Sequence, residues 1–274
     1  MSEYTVTVIG ATGKTGRHVT RYAAECGWRV RAAGRRAGAS EPFDWDDERS
    51  WVTATTGSDA VYVLIPFNHP GAPERTPALL EAIAGAGVGR LVLLSSLDVT
   101  EADPDSPLRR AEDTLAALPI ATAALRPTWF LDNFTHGSFA GMVSAGSLRL
   151  PAGEGRIPFV DARDVAAVGV AALAADGPTG PLPITGPAAL DHHEVAAALS
   201  NGRQVTYTPV SSAEFVSLMA ERGFGEDYGI FLAEALQRVA TGELVIPVHD
   251  TVPRLVGRPA YSASDFARHY AGLQ

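Results

Sequence analysis

A glycine-rich loop near the start of the chain limits the possible folds more than any other feature of the sequence. The apolar run at residues 6–9 predicts a buried strand, and a helical pattern over about residues 14–26 follows the loop. Gly10 permits a tight turn, Gly13 lets a pyrophosphate approach the backbone, and Gly16 allows the helix to pack closely on the strand. Backbone N–H groups at the start of a helix attract anions. The sequence therefore predicts a dinucleotide-binding loop, whose contacts we assign to Gly10, Thr12, Gly13, Lys14, Thr15 and Gly16.

The same residues partly resemble the phosphate loop of nucleoside triphosphatases. That motif requires a glycine, four residues of any type, and then Gly-Lys-Ser/Thr. Gly13, Lys14 and Thr15 supply the second half, but Val8 occupies the position of the first glycine. The spacing therefore argues against a nucleoside triphosphatase.

Strand and helix patterns alternate through the first half of the chain, and the strands are apolar nearly throughout. Strands buried on both faces and separated by helices are typical of a parallel sheet. We therefore expect an α/β fold with a doubly wound parallel sheet of the Rossmann type. The predicted strands lie at 6–9, 29–33, 43–45, 60–65, 90–94 and 120–125, and the predicted helices at about 14–26, 49–56, 76–86 and 108–118.

After residue 125 the alternation becomes irregular, with Gly/Pro-rich breaks such as residues 177–183. We expect residues 1–150 to form the nucleotide-binding core. Residues 151–274 would then form a smaller α/β portion that binds substrate and packs on the core without a linker.

The composition and the net charge argue against some classes of function and favour one cellular compartment. The chain has 274 residues, of which 46% are hydrophobic, and a net charge of -9. The acidic balance argues against nucleic-acid binding, which needs clustered cations. The longest apolar stretch, about residues 165–175, is too short to span a membrane. Since Cys26 is the single cysteine and no leader pattern precedes the first strand, we expect a cytoplasmic protein without a signal peptide.

The end of the second predicted strand indicates which cofactor is preferred. NAD sites usually place an acidic residue there to bind the ribose 2′-hydroxyl. Here the strand runs Ala32-Ala33-Gly34 into Arg35 and Arg36, with no carboxylate. A guanidinium pairs bidentately with a phosphate. We therefore predict NADP(H), with Arg35 as the main ligand of the 2′-phosphate and Arg36 and Lys14 in support.

The glycine loop and several later segments of the chain resemble those of a known family. The glycine loop followed by Arg35 is similar to that of the NmrA-like atypical short-chain dehydrogenases, which include triphenylmethane reductase, type 2 quinone oxidoreductase and isoflavone-reductase-like enzymes. The resemblance is strongest to bacterial relatives of the ergot-alkaloid reductases, and residues 191–250 match only loosely. The segments that carry it are Phe43-Asp44-Trp45, residues 125–134 (LRPTWFLDNF), residues 161–166 (DARDVA), Gly257-Arg258-Pro259 and Ser264-Asp265-Phe266.

The resemblance implies a set of contacts along the crevice at the strand ends. Asp44 and Trp45 would lie near the adenosine, and Ile65, Pro66 and Phe67 beside the pyrophosphate and ribose. Ser95 would end the fifth strand, and Pro127 and Thr128 would flank the nicotinamide. The residues implied to bind substrate are Trp129, Phe130 and Asn133, although core packing is the competing interpretation for Trp129 and Phe130.

The catalytic pair of ordinary short-chain dehydrogenases is absent. Those enzymes use Tyr-x-x-x-Lys, whereas Lys14 is the only lysine of this chain. Arg109 and Arg110, in the helix after the fifth strand, stay protonated and are poor proton donors. A reaction that needs no proton from the protein remains possible, namely hydride transfer to a small conjugated electrophile such as a quinone, an iminium or a dye. It also leaves a non-catalytic NADP(H) sensor or regulator, or a biosynthetic enzyme with a non-redox step.

No catalytic residue is assigned by the sequence. His69, Asn133 and His136 are the candidates. The run from Asp191 to Glu194, which contains two histidines, fits a helix capping box better than a metal site, because adjacent histidines do not face the same way on a helix. We expect no metal.

Overall fold

The computed structural model describes residues 3–34, 39–66, 69–200 and 204–271. The chain divides into two compact units that are interleaved along the sequence. The first, called the sheet unit, comprises Met1–Thr128, Ala162–Ile184 and Asp250–Arg258. The second unit comprises Trp129–Asp161, Thr185–His249 and Pro259–Gln274.

Nine strands are described, numbered here in chain order. They are β1 (Thr5–Ile9), β2 (Arg29–Gly34), β3 (Glu41–Pro42), β4 (Ala60–Leu64), β5 (Arg90–Leu94), β6 (Ala121–Pro127), β7 (Ser147–Leu150), β8 (Gly180–Ile184) and β9 (Thr206–Pro209). The helices are α1 (Gly16–Glu25), α2 (Glu48–Thr55), α3 (Ala72–Gly85), α4 (Pro107–Ala117), α5 (Ala140–Ser144), α6 (Ala162–Leu173), α7 (His192–Leu199), α8 (Ser212–Glu221), α9 (Glu226–Ala240), α10 (Thr251–Val256) and α11 (Ala263–Ala271).

The sheet unit confirms the predicted doubly wound fold. Seven strands lie in the order β3-β2-β1-β4-β5-β6-β8, and every neighbouring pair is parallel. All residues of β1 are buried, as are the first four of β4 and of β5, which explains their nearly continuous apolar character. Since all the strands point the same way, their carboxyl ends share one edge. The direction of the strand order reverses between β1 and β4, where such sheets bind ligands.

The third strand differs from its prediction. It is Glu41–Pro42, just before the predicted residues 43–45. Phe43 and Trp45 are buried instead in the core of the sheet unit, where their rings meet edge to face at 5.6 Å. The apolar pattern therefore marked core residues of a loop and not a strand.

The boundary expected at residue 150 also differs from the observed division. Residues 129–150 belong to the second unit, whereas α6 and β8 belong to the sheet unit. Strand β8 lies in the Gly/Pro-rich break and adds to the sheet beside β6, which is why residues 180–184 belong to the sheet unit. Pro181 and Pro183 alternate along this edge strand, so their missing N–H groups are tolerated on the side that faces away from β6.

The second unit has its own core. A parallel pair formed by β7 and β9 packs with helices α5, α7 and α8, and the core is rich in aromatic side chains such as Phe134, Phe139 and Phe215. None of the helices in the described part of the chain combines the length and the apolarity that crossing a bilayer requires.

Candidate functional site

The turn between β1 and α1 has the conformation that its glycines allow. Gly10 has φ +85°, in the left-handed region that glycine adopts without strain. The Gly13 N–H closes the turn on the Gly10 carbonyl at 2.9 Å. A Cβ atom at Gly13 would lie 3.2 Å from both this carbonyl oxygen and the Leu64 side chain. The loop is therefore packed tightly against the end of β4.

The start of helix α1 carries no side-chain cap. Thr15 is the N-cap residue, but its hydroxyl makes no capping bond and lies 2.9 Å from the Tyr62 hydroxyl inside the sheet unit. By contrast, Asp47 caps α2 and Asp191 caps α7. The first turn of α1 contains no acidic residue. The Arg17 and His18 N–H groups donate to the Gly13 and Thr15 carbonyls at 3.2 and 2.9 Å, so what this helix start offers an anion is the positive end of its dipole, which no acidic side chain of the first turn neutralises.

The other residues of the phosphate loop differ in exposure. Thr12 is exposed, and Lys14 is half-buried. Burial raises the pKa of the Tyr62 phenol, so the partner of Thr15 stays neutral. Arg35, Arg36 and Phe67, which we predicted to contact the cofactor, lie outside the described residues.

The residues predicted to lie near the adenosine follow β3 and β4. Asp44 is half-buried, and its carbonyl accepts a hydrogen bond from the Trp51 indole at 2.8 Å. Trp45 is only 6% exposed, so its ring belongs mainly to the core. Ile65 and Pro66 are half-buried just after β4. The structure thus puts these residues at the carboxyl edge, and their contact with an adenosine stays a prediction.

His69 is tied to the loop that follows β3. Its Nε2 atom lies 3.2 Å from an Asp46 carboxylate oxygen, and the Arg75 Nε atom lies 3.6 Å from the other. Asp44, Asp46 and His69 offer one potential metal-ligand atom each within 4.8 Å of one another, but Arg75 already supplies a positive charge to this group. His69 thus follows β4 and contacts the loop after β3, and its catalytic role stays a prediction.

The other half of the edge lies at the ends of β5 and β6. Ser95 follows β5 and is buried, as are Pro127 and Thr128 at the end of β6. The Thr128 N–H donates to the Ile184 carbonyl at 3.0 Å. Its hydroxyl oxygen is buried and has no hydrogen-bond partner among the described residues. Since buried polar groups are almost always paired, an orphaned hydroxyl here fits a bound ligand that supplies the partner.

The predicted substrate residues belong to the second unit. Trp129 stacks on Phe139, with ring centroids 6.5 Å apart and an interplanar angle of 10°. Phe130 is half-buried, and its carbonyl accepts from the Asn133 N–H at 3.1 Å. The exposed His136 meets the Tyr270 ring edge to face at 4.9 Å. The substrate and catalytic roles proposed for these residues stay predictions.

The helix start at Asp191 confirms the capping box. The Glu194 N–H donates to the Asp191 carboxylate, and the Asp191 N–H donates to the Glu194 carboxylate, both at 2.9 Å. His192 and His193 face different ways, because the first is fully buried and the second has a 53% exposed side chain.

The burial of His192 was not foreseen from the sequence. Its ring lies among Phe134, Phe159 and Tyr207, and neither ring nitrogen has a partner in the described part of the chain. Burial lowers the pKa of His192 to about 4. Apolar residues on the same face of α7 could have indicated that this position is buried. A histidine next to a capping residue, however, usually indicates a surface position.

A charged pair beside Ser95 was not predicted from the sequence. Glu112 on α4 is 7% exposed and is paired with Arg126 on β6, and the Ser95 hydroxyl also binds its carboxylate. Glu112 and Arg126 are distant in sequence, and both types are usually exposed. Only the packing of α4 against β6 brings them together.

Comparison with known proteins identifies the family. The NmrA-like family profile matches residues 2–244, and the chain belongs to that family. It is 31% identical to an NAD(P)H azoreductase of Xenophilus azovorans, over 97% of this chain and 98% of the relative. It is 32% identical to a (4-alkanoyl-5-oxo-2,5-dihydrofuran-3-yl)methyl phosphate reductase of Streptomyces griseus, over 97% and 98% of the two chains.

The fold is shared with solved structures. An NADPH-dependent quinone oxidoreductase of Escherichia coli, solved with NADPH, superposes with a TM-score of 0.83 at 21% identity, covering 97% of this chain and 99% of the other. NmrA, a negative transcriptional regulator solved with NAD, superposes with a TM-score of 0.74 at 17% identity, covering 100% and 97%. The resemblance inferred from the sequence is therefore confirmed. The relatives thus include a reductase named for its use of NAD(P)H, and the proteins of the same fold include a regulator.

Proposed function

We propose that this chain is an NADPH-dependent oxidoreductase that transfers hydride to a small conjugated electrophile, such as a quinone, an iminium or an azo or triphenylmethane dye. The observation that carries the proposal is the tight glycine turn before α1, whose first turn has no side-chain cap and no acidic residue, because the positive end of the helix dipole there favours a pyrophosphate. The orphaned Thr128 hydroxyl at the other half of the same edge supports it. The azoreductase relative uses a nicotinamide cofactor, as its name states.

In this proposal the chain binds and orients, and the cofactor supplies the hydride. The residues from Gly10 to Gly16 would hold the pyrophosphate, and Arg35 would pair with the 2′-phosphate. Thr128 and Ser95 would meet the nicotinamide end. Trp129, Phe130 and Asn133 would hold a flat substrate.

The absence of a Tyr-x-x-x-Lys pair bears on which classes of substrate the chain could reduce. A carbonyl reduced to an alcohol needs a proton in the same step, whereas a conjugated cation or a quinone accepts hydride without a dedicated protein acid. With Lys14 as the only lysine, the chain lacks the ammonium that activates the tyrosine in ordinary short-chain dehydrogenases. A conjugated electrophile therefore suits this chain better than a simple ketone.

A non-catalytic sensor of NADP(H) is the second candidate. The same missing pair favours it, and so does the shared fold with a regulator that binds NAD. A biosynthetic enzyme with a non-redox step would share this cofactor site too, since a fold does not fix a reaction.

The deciding experiment follows the loss of NADPH absorbance with a panel of quinones, azo dyes, triphenylmethane dyes and iminium compounds. Turnover on one class, absent with simple ketones, is expected for the oxidoreductase. Tight binding of NADPH by calorimetry without turnover on any compound would instead support the sensor or the non-redox enzyme. Failure to bind NADPH or NADH would overturn the proposal entirely.

A further inference from the structure

A buried cluster of three polar side chains lies next to the proposed nicotinamide end. Glu112 on α4 accepts from the Arg126 Nε atom at 3.1 Å with both of its carboxylate oxygens, and it makes a closer contact with Arg126 Nη2. The Ser95 hydroxyl donates to the same carboxylate. Glu112 and Ser95 are 7% and 8% exposed, so these bonds are shielded from water.

The pairing fixes where the proton of Ser95 lies. Glu112 forms an ion pair with the Arg126 guanidinium, which stays charged in proteins. An ionised carboxylate only accepts hydrogen bonds, so the contact between Ser95 and Glu112 requires the serine to donate. A serine hydroxyl has one proton. With that proton given to Glu112, Ser95 has only lone pairs to offer, and any further partner must be a donor.

Backbone pairing places this acceptor at the carboxyl edge of the sheet. Leu94 pairs with Leu125, and the Ser95 N–H donates to the Leu125 carbonyl at 2.8 Å. Thr128, with its orphaned hydroxyl, follows at the end of the same strand. In doubly wound sheets the second mononucleotide half, here β4 to β6, receives the second nucleotide of the cofactor. That nucleotide carries the nicotinamide, whose carboxamide N–H₂ group needs an acceptor.

We propose that Glu112, held by Arg126, is a positioning residue that makes Ser95 an acceptor for the carboxamide N–H of the nicotinamide. This inference rests on the proposed cofactor use. It assigns to Ser95 the recognition of an amide and excludes it as the donor of a proton to substrate, since its proton is already bound to Glu112.

The test compares NADP⁺ with its 3-acetylpyridine analogue, which keeps the carbonyl but lacks the amide N–H. Affinities are measured by calorimetry, so the readout does not depend on turnover. The wild type is expected to bind NADP⁺ about threefold to tenfold more tightly than the analogue, as one hydrogen bond implies. Ser95→Ala is expected to bring this ratio close to about one, because the acceptor is gone.

Glu112→Gln tests the positioning role itself. The neutral amide can donate to Ser95, which frees the serine proton to bind the acetyl carbonyl. The ratio is therefore expected to fall by about threefold or more relative to the wild type. Asp113→Asn is the matched control, because it makes the same change on the next residue of α4, where the carboxylate is 64% exposed and pairs with Arg109. It should leave the ratio unchanged.

Equal affinity of the wild type for the two dinucleotides would overturn the inference, as would a ratio that Ser95→Ala preserves. If Glu112→Gln keeps the wild-type ratio of the two affinities, Glu112 does not position Ser95. If Glu112→Gln does not fold, the Ser95→Ala comparison decides alone. Absence of NADP⁺ binding by the wild type would instead defeat the proposed function, and this inference with it.

Discussion

Gly16 lies so close to Gly10 that a Cβ atom on Gly16 would stand 2.1 Å from the Gly10 carbonyl oxygen. The same carbonyl accepts the Gly13 N–H, so it cannot turn away without opening the loop. Gly16 is also the first residue of α1. The absence of a side chain at this position therefore lets the helix begin directly beneath the turn.

Gly16→Ala is expected to destabilise the fold and to weaken cofactor binding. Overpacking against a fixed backbone costs about 1–3 kcal/mol. Relief of the clash would move the first turn of α1 away from the phosphates, which should lower NADPH affinity by about tenfold or more. Urea unfolding and calorimetric titration measure the two effects.

Gly85→Ala is the matched control for this substitution. Gly85 ends α3, and a Cβ atom there meets nothing within 4 Å. The variant should be as stable as the wild type or up to about 1 kcal/mol more stable, since alanine favours a helix. If Gly16→Ala binds NADPH as tightly as Gly85→Ala does, the assignment of the phosphate loop is wrong.

Arg35→Ala is expected to weaken the binding of NADPH and to leave NADH nearly unchanged. A charge-assisted bond is worth about 1.5–3 kcal/mol, so the loss should be roughly tenfold to a hundredfold. The wild type should correspondingly prefer NADPH. Calorimetry with both dinucleotides checks this.

Arg21→Ala serves as the control, because Arg21 is a 52% exposed arginine on α1 that pairs with Glu25. It should bind both cofactors as the wild type does. Equal affinity of the wild type for NADPH and NADH would contradict the assignment of Arg35.

The parts of the structure that local sequence patterns determine were predictable. The glycine loop, four of the five longer strands of the first half to within a residue, and the capping box at Asp191 each depend on neighbours in sequence. The strand β8 was not predicted, because its prolines resemble a break and only the free side of an edge strand accommodates them.

Long-range pairs were not predictable at all. The ion pair between Glu112 and Arg126 and the burial of His192 depend on which elements pack together. None of these three residue types indicates burial on its own. In the site itself, the positions at strand ends followed from the sheet topology. The orphaned hydroxyl of Thr128 became visible only when its neighbours were placed.

The buried His192 predicts a loss of stability in acid. Its pKa is lowered to about 4 in the fold from an ordinary 6.5. Between these pH values the unfolded chain binds a proton that the native chain does not, so the free energy of unfolding falls as the pH drops. The contribution of His192 is about 1.4 kcal/mol per pH unit within this window. Urea unfolding at pH 7, 6, 5 and 4.5 measures it.

His192→Leu should flatten that dependence and should be at least as stable as the wild type at pH 7, because it removes a buried ring whose nitrogens have no partner among the described residues. His193→Gln, at the exposed neighbouring position, should keep the wild-type pH dependence. A His192→Leu variant that loses stability in acid as steeply as the wild type would show that other groups cause the loss.

Substrate placement, and not a protein acid, is expected to control turnover if the chain is a reductase. Trp129 is held by stacking on Phe139, so its ring offers a rigid surface to a flat substrate. Trp129→Ala should therefore lower kcat/KM for the best substrate while leaving the affinity for NADPH unchanged. An unchanged kcat/KM would indicate that Trp129 serves core packing and does not bind substrate.

No single tyrosine should be essential in the manner of a proton-donating catalytic residue. The seven tyrosines have no lysine near them other than Lys14 to lower a pKa. Burial instead raises the pKa of Tyr4 and Tyr62, and it raises that of Tyr207 to about 12, which makes all three weaker acids.

Individual Tyr→Phe variants, measured by NADPH-dependent turnover on the best substrate, should each retain activity within about tenfold of the wild type. Tyr62→Phe should also weaken NADPH binding modestly, because the Tyr62 hydroxyl holds Thr15 at the start of α1. The loss of one hydrogen bond corresponds to about threefold to tenfold in affinity. General acid catalysis contributes about a hundredfold to ten-thousandfold. A Tyr→Phe variant that binds NADPH normally but loses about a thousandfold in rate would therefore reveal a tyrosine acid, and hydride transfer without a protein proton donor would be refuted.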